Sequence, residues 1–334
     1  MEQRYQYTMQ YTTTLKELEP VAITIGNFDG IHLGHQRLMH ELSNLAQSLH
    51  CKAAVLTFSP HTLMVVRPNM HIYYLTTLDE KLAFIKQYGG INDYIVVNFT
   101  PEVAAMSATE FLDTVRQHFT LKGLLVGENF SLGHHRMGDV PFLENYGREH
   151  NIVVRAIPLT EHGEIRISST RVRSLVSEGN VEEAARLLGH PLTFRGTVVH
   201  GDERGRLLGF PTANLRPDPH RLLPANGVYA VRVYLTEGTM RESGEKSDTS
   251  STPIVYNGVV NVGVRPTFQG TERLVEVHLL DTTLNLYGKE LVVDFIAHLR
   301  SEQRFPNIEA LKTQIATDVQ QARQLLAKSS IAGA

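Results

Sequence analysis

Near the beginning of the chain, residues 21–35 read VAITIGNFDGIHLGH. Residues 21–25 are apolar apart from one threonine, which predicts a buried strand. After a turn that contains glycine, apolar side chains recur at every third or fourth position up to residue 49, which predicts an amphipathic helix. A strand that leads through such a turn into a helix is typical of parallel α/β sheets that bind nucleotides.

The rest of the first half repeats this alternation of strands and helices. Further strands are predicted at 53–58, 94–97, 123–126 and 152–157, and further helices at 78–88, 108–119 and 144–149. Such alternation predicts a parallel sheet with helices on both faces. We also expect one helix over 169–188, ended by Gly189-His190-Pro191, and we place the domain boundary there, giving domains 1–188 and 189–334.

The second half contains strand patterns without helices between them. Strands are predicted at 193–200, 227–235, 254–264, 274–280 and 290–299. Turns rich in glycine, proline, asparagine and aspartate separate them, which predicts an antiparallel barrel or sandwich. The polar segment 237–252 is interpreted as a solvated hairpin insertion. Asn307 is expected to cap a final helix.

Composition narrows the class of protein. A chain of 334 residues is longer than a single hydrophobic core usually accommodates, so we expect two domains. The net charge of −3, without a basic stripe, argues against a nucleic-acid surface. One cysteine excludes an internal disulfide and fits a cytoplasmic location. Neither a secretory signal nor an apolar run of membrane-spanning length is found, so no membrane partner is expected.

The turn after the first strand carries the first candidate site. Its glycines allow a ligand close to the backbone, and a helix N-terminus offers N–H groups to phosphates. His32 and His35 are three residues apart and share a helix face, so both rings can donate hydrogen bonds to phosphoryl oxygens. The alternative is that His32 caps the turn and His35 packs. A metal site is disfavoured because the sequence offers no third ligand.

Four segments in the first half resemble one known module. Residues 26–36 resemble the signature of the FMN adenylyltransferase module of bacterial riboflavin kinase/FAD synthetases. Segments 57–61, 126–130 and 166–173 resemble its later motifs in order. Two departures stand out: Thr62 occupies a position that is usually proline, and Ser131-Leu132 replaces a common basic-aromatic pair.

The resemblance implies which residues serve adenylyl transfer. His32 and His35 would be catalytic. ATP and FMN would be bound by Gly26, Asn27, Phe28, Gly30, Gly34, Asn129, Arg166, Ser169, Thr170 and Arg173. Hydroxyls at a helix start and the guanidinium of Arg173 suit a triphosphate. From the residues alone, the serines and threonine at 168–170 also fit an ordinary helix cap.

A second candidate site begins with a glycine-punctuated loop that ends in the sequence GFPTAN at 209–214. It does not match a Walker motif, and by itself it also fits a plain turn. Residues 209–214, 256–268 and 275–281 resemble the conserved segments of riboflavin kinases. The resemblance implies that Thr212 and Asn214 hold Mg²⁺ and ATP phosphates, and that Glu276 is the catalytic base.

Other residues of the implied kinase site are Gly201, Gly205, Arg206, Gly209, Phe210, Pro211, Arg265 and Arg300. By pattern alone, Glu276 also fits the solvent face of an alternating strand.

The resemblance extends over about residues 21–322 and implies both a fold and a function for this range. It implies a Rossmann-like nucleotidyltransferase domain followed by an antiparallel β-barrel with a terminal helix. The barrel would phosphorylate riboflavin to FMN, and the first domain would adenylylate FMN to FAD, releasing pyrophosphate. ATP is the co-substrate of both steps, Mg²⁺ the cofactor, and small molecules the expected partners of a monomer or weak homo-oligomer. Two alternatives stay open: a kinase whose adenylyl site is impaired at Ser131-Leu132, and a flavin-binding regulator on a retired enzyme scaffold.

Overall fold

The computed structural model describes residues 9–158, 161–162, 165–200, 209–235, 254–267, 270–282 and 284–329. The chain divides into two compact units, Met1–Ser169 and Thr170–Ala334. The division lies before the helical region that the sequence boundary at 188/189 assigns to the first domain. The polar segment 237–252, interpreted as a hairpin insertion, lies outside the described residues.

The first unit is built on a six-stranded sheet. Its strands are β1 (Tyr11–Thr13), β2 (Pro20–Ile25), β3 (Lys52–Ser59), β4 (Asp93–Asn98), β5 (Thr120–Gly127) and β6 (Val153–Ile157). The strand order is β1-β4-β3-β2-β5-β6, and all neighbours are parallel except β1, which runs antiparallel to β4. The predicted parallel sheet is confirmed. The short edge strand β1 was not predicted, because three residues are too few to show a period.

Helices cover both faces of this sheet. They are α1 (Leu33–Ser48), α2 (Thr62–Val66), α3 (Leu78–Gly89), α4 (Pro101–Ala105), α5 (Ala108–His118) and α6 (Val140–His150). One core cluster joins α1 and α3 to alternate strand residues such as Ala22 and Val55. The other joins α5 and α6 to the opposite face, through Ile23 and Leu56. The period-2 alternation of side chains along a strand explains why both faces are apolar. A small hairpin, β7 (Glu161–His162) and β8 (Ile165–Arg166), follows β6.

The strand order places a ligand crevice in the first unit. From β2 the chain proceeds through β3 to β4, and it then returns to β5 on the other side of β2. In open α/β sheets, ligands bind where the order reverses, beyond the carboxyl ends of the strands. The loops after β2 and β5 therefore meet at the expected binding edge.

The second unit contains a closed antiparallel barrel, as the sequence predicts. Its strands are β9 (Leu192–Val199), β10 (Ala213–Leu215), β11 (Gly227–Leu235), β12 (Val255–Thr267), β13 (Gly270–Leu279) and β14 (Glu290–Ser301), in the order β10-β13-β12-β11-β14-β9. The final helix α9 (Ile308–Ser329) packs Val319 and Ala322 on the outer barrel face, against Val228. Asn307 caps it, since its Oδ1 accepts from Ala310 N at 2.9 Å.

The single helix expected over 169–188 is wrong. The structure has α7 (Ser169–Ser177) and α8 (Val181–Leu188), separated at Gly179. Gly179 has a φ of 81°, which a helix does not allow, and the side chain of Asn180 caps α8 by accepting from Glu183 N at 3.1 Å. No helix of the described residues has the length and apolarity that crossing a membrane requires.

Gly179 generates a stability prediction. A Cβ at this position would lie 2.9 Å from the Tyr229 hydroxyl, which donates to Ala225 O at 2.6 Å. Gly179→Ala therefore combines backbone strain with a clash, and we expect the free energy of unfolding to fall by roughly 2 kcal/mol or more. Gly288→Ala is the matched control, because Gly288 has a φ of 73° and no atom within 4 Å of the added Cβ.

The two variants are compared by urea unfolding followed by circular dichroism. Strain alone predicts a loss of about 1–2 kcal/mol for Gly288→Ala. Equal losses in both variants would contradict the role given to the Tyr229 contact.

Candidate active sites

The loop after β2 bends tightly around the Phe28 ring. Gly26 N donates to Leu56 O at 3.0 Å, and a Cβ on Gly26 would lie 3.1 Å from the Phe28 ring. Phe28, Gly30 and Ile31 all have positive φ, at 47°, 85° and 41°. A side chain at residue 26 would press on the Phe28 ring, and glycine is favoured at residue 30 by its backbone conformation.

The buried carboxylate of Asp29 fixes this loop through hydrogen bonds. Its carboxylate is only 2% exposed and accepts from Leu75 N at 2.8 and 3.0 Å, Thr76 N at 3.1 Å and Thr76 Oγ1 at 3.2 Å. Gly30 N in turn donates to Thr76 Oγ1 at 3.2 Å. The loop is therefore fixed to the segment before α3. The sequence predictions did not single out Asp29, because its partners are 46 and 47 residues away.

Asn27 joins the first motif to the segment 57–61. Its Nδ2 donates to Thr62 Oγ1 at 2.8 Å, and its Oδ1 accepts from Thr62 N at 3.3 Å. Thr57 Oγ1 donates to Asn27 O at 3.2 Å. Proline has no N–H, so the bond from Thr62 N is specific to a chain without proline at this position. Thr62, which stands where the resembled family usually has proline, is thus held to Asn27 by two hydrogen bonds.

The rings of His32 and His35 lie against each other at the start of α1. Their centroids are 3.6 Å apart and their planes 16° from parallel. His32 caps the helix, since its Nδ1 accepts from His35 N at 3.3 Å, which places the proton of a neutral ring on Nε2. The Nδ1 of His35 is buried and has no hydrogen-bond partner among the described residues. The capping alternative is correct for His32, and it coexists with the stacked pair.

The charge state of the pair follows from its surroundings. Burial, then the neighbouring His32 and then Lys81 hold the pKa of His35 well below its usual value. Lys81 lies on α3 and is 5% exposed, and burial lowers its pKa to about 8. The sequence predictions missed Lys81, because a lysine in a helical pattern is normally a surface residue.

Ser169, from the segment 166–173, belongs to the same unit as His32 and His35. Its Oγ donates to Asp29 O at 2.9 Å, so Ser169 contacts the first motif directly. Thr170 and Arg173 lie on α7 in the second unit, the former exposed and the latter half-buried. Arg166 belongs to β8, but its side chain lies outside the described part of the structure.

The loop after β5 lies at the same sheet edge. Asn129 is exposed in the turn that directly follows β5. Ser131 Oγ accepts from Arg136 Nε at 2.7 Å, and the backbone of Leu132 pairs with Gly138 through bonds of 3.0 and 2.9 Å. The Ser131-Leu132 departure therefore leaves an ordered loop in which Ser131 orients Arg136.

In the second unit, the strand register forms one polar row across the barrel. Asn214 on β10 lies opposite Glu276 on β13, and Glu276 lies opposite Asn261 on β12. Directly opposite residues share a sheet face. Asn261 Nδ2 donates to Glu276 Oε2 at 3.3 Å. Asn261 was not among the predicted site residues, because only the register shows that it is next to Glu276.

The same row continues to Arg300. Asn261 lies opposite Val228, and Val228 lies opposite Arg300. Because Val228 packs beneath α9, the row belongs to the outer face of the barrel. Asp318 on α9 is 2% exposed and accepts from Arg300 Nε at 3.0 Å and from its Nη2 at 2.9 Å. The guanidinium is therefore held in a fixed orientation.

The segment 209–212 reaches the row through His278. The ring of His278 lies edge-on to Phe210, with centroids 5.6 Å apart, and its Nδ1 lies 2.8 Å from Pro211 O. His278 is two residues from Glu276 on β13, so both side chains point to one face. Thr212 and Asn214 are likewise two residues apart. Thr212 also borders a cavity of about 440 Å³, together with Pro211 and Tyr287.

Some predicted kinase residues cannot be placed. Gly201, Gly205 and Arg206 lie outside the described residues, as does the side chain of Arg265. Gly209 has a φ of 87°, with open space where a Cβ would be. Within the described ranges, no group of three or more His, Cys, Asp or Glu side chains is arranged to hold a metal ion. The oxygen atoms of Thr212 and Asn214 are nevertheless of the kind that Mg²⁺ takes alongside phosphate and water.

Comparison with known proteins assigns a family to each half of the chain. The FAD synthetase family matches residues 14–171, and the riboflavin kinase family matches residues 188–326. The bifunctional riboflavin kinase/FMN adenylyltransferase of Escherichia coli K12 is 39% identical over 308 residues, covering 92% of this chain and 93% of that protein. The protein of the same name from Haemophilus influenzae is 36% identical, covering 92% and 94%.

A solved structure shares the fold. The crystal structure named macrolide-efflux protein from Streptococcus pneumoniae superposes with a TM-score of 0.80 at 30% identity, covering 92% of this chain and 94% of that chain. The sequence relatives span nearly the whole chain at this level of identity or above. The chain therefore belongs to the family of bifunctional riboflavin kinase/FMN adenylyltransferases.

Proposed function

We propose that the two activities of this family reside at the two sites described above, and that ATP drives both. The barrel phosphorylates riboflavin to FMN at the row that contains Asn214 and Glu276. The α/β unit transfers the adenylyl group of ATP to FMN at the His32–His35 pair, and it releases pyrophosphate. The observation that carries this proposal is the row itself, in which Glu276 lies directly opposite Asn214 and accepts a hydrogen bond from Asn261.

In the kinase step, Glu276 acts as the general base. Its carboxylate accepts the proton of the riboflavin 5′-hydroxyl as that oxygen attacks the γ-phosphorus of ATP. Asn261 holds one carboxylate oxygen through the 3.3 Å bond, which orients the base. Asp318 fixes Arg300 at the other end of the row, where a cation can bind an anionic or polar part of the flavin.

The kinase site also suits a magnesium ion. Thr212 and Asn214 would hold it with their side-chain oxygens, which are hard ligands. When bound, Mg²⁺ neutralises the charge of the ATP phosphates. Orientation of the hydroxyl nucleophile and removal of its proton remain the task of the protein side chains.

In the adenylyl step, the FMN phosphate attacks the α-phosphorus of ATP directly, and no covalent enzyme intermediate forms. The N-terminus of α1 offers backbone N–H groups and a positive dipole end to the phosphates. The imidazole N–H groups of His32 and His35 donate to phosphoryl oxygens as negative charge builds on them. Ser169, bound to Asp29 O, adds a hydroxyl at the same loop.

One incubation tests the proposal as a whole. Purified protein with riboflavin and Mg-ATP should yield FMN and then FAD, separated by chromatography. If neither flavin nucleotide appears, the proposal fails. FMN supplied with ATP tests the alternative of an impaired adenylyl site, because absence of both FAD and pyrophosphate would support a kinase alone. Flavin binding without ATP consumption would support the regulator.

Glu276→Gln tests the base. The amide keeps the shape of the side chain but cannot take the proton, so the rate of FMN formation should fall on the order of 10²–10⁴-fold. FAD formation from supplied FMN should persist, because it occurs in the other unit. Glu309→Gln, at an exposed position on α9, is the matched control. Survival of riboflavin phosphorylation in Glu276→Gln would show that the assigned role is wrong.

His35→Gln tests the histidine pair. Loss of a donor aimed at developing charge should reduce the rate of FAD formation from FMN on the order of 10²–10³-fold. Riboflavin phosphorylation should be unchanged. His40→Gln, on the exposed face of the same helix, serves as the control. Equal adenylylation rates in both variants would exclude His35 from the reaction.

Thr212→Ala tests the magnesium assignment. Removing one oxygen ligand should raise the Mg²⁺ concentration needed for half-maximal riboflavin phosphorylation on the order of tenfold. Thr197→Ala, at an exposed position on β9, is the comparison. An unchanged Mg²⁺ dependence in Thr212→Ala would assign the ion to other ligands.

The cytoplasmic location and the monomeric or weakly associated state remain part of the proposal. The location is supported by the single cysteine and by the need for ATP in both steps. Light scattering across a range of protein concentrations tests the state of association.

A further inference from the structure

Asn27 and Thr62 bind each other through two hydrogen bonds, although 35 positions separate them in the sequence. Asn27 Nδ2 donates to Thr62 Oγ1 at 2.8 Å, and Thr62 N donates to Asn27 Oδ1 at 3.3 Å. Both residues are half-buried. Each partner therefore acts once as donor and once as acceptor.

This pattern fixes the orientation of the Asn27 amide. A backbone N–H can only donate, so the Asn27 atom that faces Thr62 N is the oxygen. A flipped amide would bring its NH₂ group against that N–H, and the bond would be lost. Nδ2 carries two hydrogens, of which Thr62 Oγ1 accepts one. Within the described ranges Nδ2 makes no second hydrogen bond, so its other hydrogen is available to a ligand.

Asn27 lies next to a ring that contacts the histidine pair. The rings of Phe28 and His35 meet edge to face, with centroids 5.1 Å apart and planes at 78°. The backbone of Asn27 is held as well, since its carbonyl accepts from Thr57 Oγ1 at 3.2 Å. The bonds from Thr62 therefore act on a residue whose neighbour in the chain contacts His35.

The same bonds hold the start of α2. Thr62 is the first residue of this helix, and the next N–H, that of Leu63, donates to His61 Nδ1 at 3.3 Å. The first N–H groups of a helix have no partner within the helix. Asn27 satisfies one of them from a distant segment. The loop after β2 and the start of α2 are therefore joined through a single amide.

We propose that Thr62 is a positioning residue for adenylyl transfer: its two hydrogen bonds hold the Asn27 amide in one orientation, so that the second Nδ2 hydrogen can bind a phosphoryl oxygen of ATP or FMN. An N–H donor forms a strong bond with such an anionic oxygen. Proline, which is usual at this position in the family, offers neither an N–H nor a hydroxyl to Asn27. This inference deepens the function proposed for the His32–His35 site and rests on it.

The first measurement is kcat/KM for FMN adenylylation. Thr62→Val keeps the backbone N–H and the size of the side chain but removes the hydroxyl, so the value should fall on the order of tenfold. Thr62→Ser keeps both hydrogen bonds and should retain nearly the native value. Thr114→Val is the matched control, because it loses a side-chain bond of 2.7 Å to Glu110 O within α5. Riboflavin phosphorylation should be unchanged in all three variants.

A double-mutant cycle with Asn27→Ala tests whether Thr62 acts through Asn27. Asn27→Ala should lower kcat/KM for adenylylation at least as much as Thr62→Val does. Adding Thr62→Val to Asn27→Ala should then cause no further loss, because the amide that Thr62 orients is gone. A merely structural threonine would lower kcat/KM by the same factor in both backgrounds.

The third measurement observes the amide directly. The side-chain amide signals of Asn27 are recorded by NMR in the ¹⁵N-labelled full-length chain without substrates, and they are assigned by their loss in Asn27→Ala. The Nδ2 proton bound to Thr62 should move to a lower chemical shift in Thr62→Val, because its hydrogen bond is lost. It should keep its position in Thr62→Ser and in Thr114→Val.

Several results would overturn the inference. They are native adenylylation in Thr62→Val or in Asn27→Ala, losses that multiply in the double variant, equal losses in Thr62→Val and Thr62→Ser, and Asn27 amide signals that stay in place in Thr62→Val. Absence of FAD from the unchanged protein would sink the proposed function instead. The amide signals would then still decide whether Thr62 orients Asn27.

Discussion

The first unit depends on a carboxylate that water does not reach. Asp29 gathers the N–H groups of Leu75 and Thr76 and the Thr76 hydroxyl, while its own carbonyl accepts from Ser169. Two distant segments, at residues 75–76 and at Ser169, thereby converge on one turn. An unpaired carboxylate at this depth would be strongly unfavourable, so the loop conformation and the approach of these segments are energetically inseparable. The geometry at the start of α1 is a consequence of that convergence.

The two units position their candidate site residues by different means. In the α/β unit, the candidate residues lie in loops beyond the strand ends and at the start of α1, and hydrogen bonds from distant residues fix these loops. In the barrel, Asn214, Asn261 and Glu276 lie within strands, and the ladder register sets their spacing. A histidine pair on the first scaffold and a carboxylate row on the second are each suited to phosphate chemistry. Their supports have nothing in common.

The sequence predicted the architecture because it depends on local patterns. Helical and strand periods predicted nearly all the longer elements, and the motifs named His32, His35, Asn214 and Glu276 as candidate site residues. Contacts between residues far apart in the sequence could not be predicted from these patterns. Asn261 becomes a neighbour of Glu276 only through register, and Lys81 is recognisable only once its burial is known. The break at Gly179 was missed because apolar spacing continues across it, while backbone conformation and the Tyr229 contact decide it.

Strand β10 has a consequence for how the proposed kinase site forms. It has three residues, yet it pairs with both β9 and β13 and so closes the barrel. The same strand carries Asn214. So short a strand offers few ladder bonds, which makes it the weakest seam of the closed sheet. Local opening at β10 separates Asn214 from Glu276 in one event. Loss of barrel closure and loss of the proposed site therefore occur together.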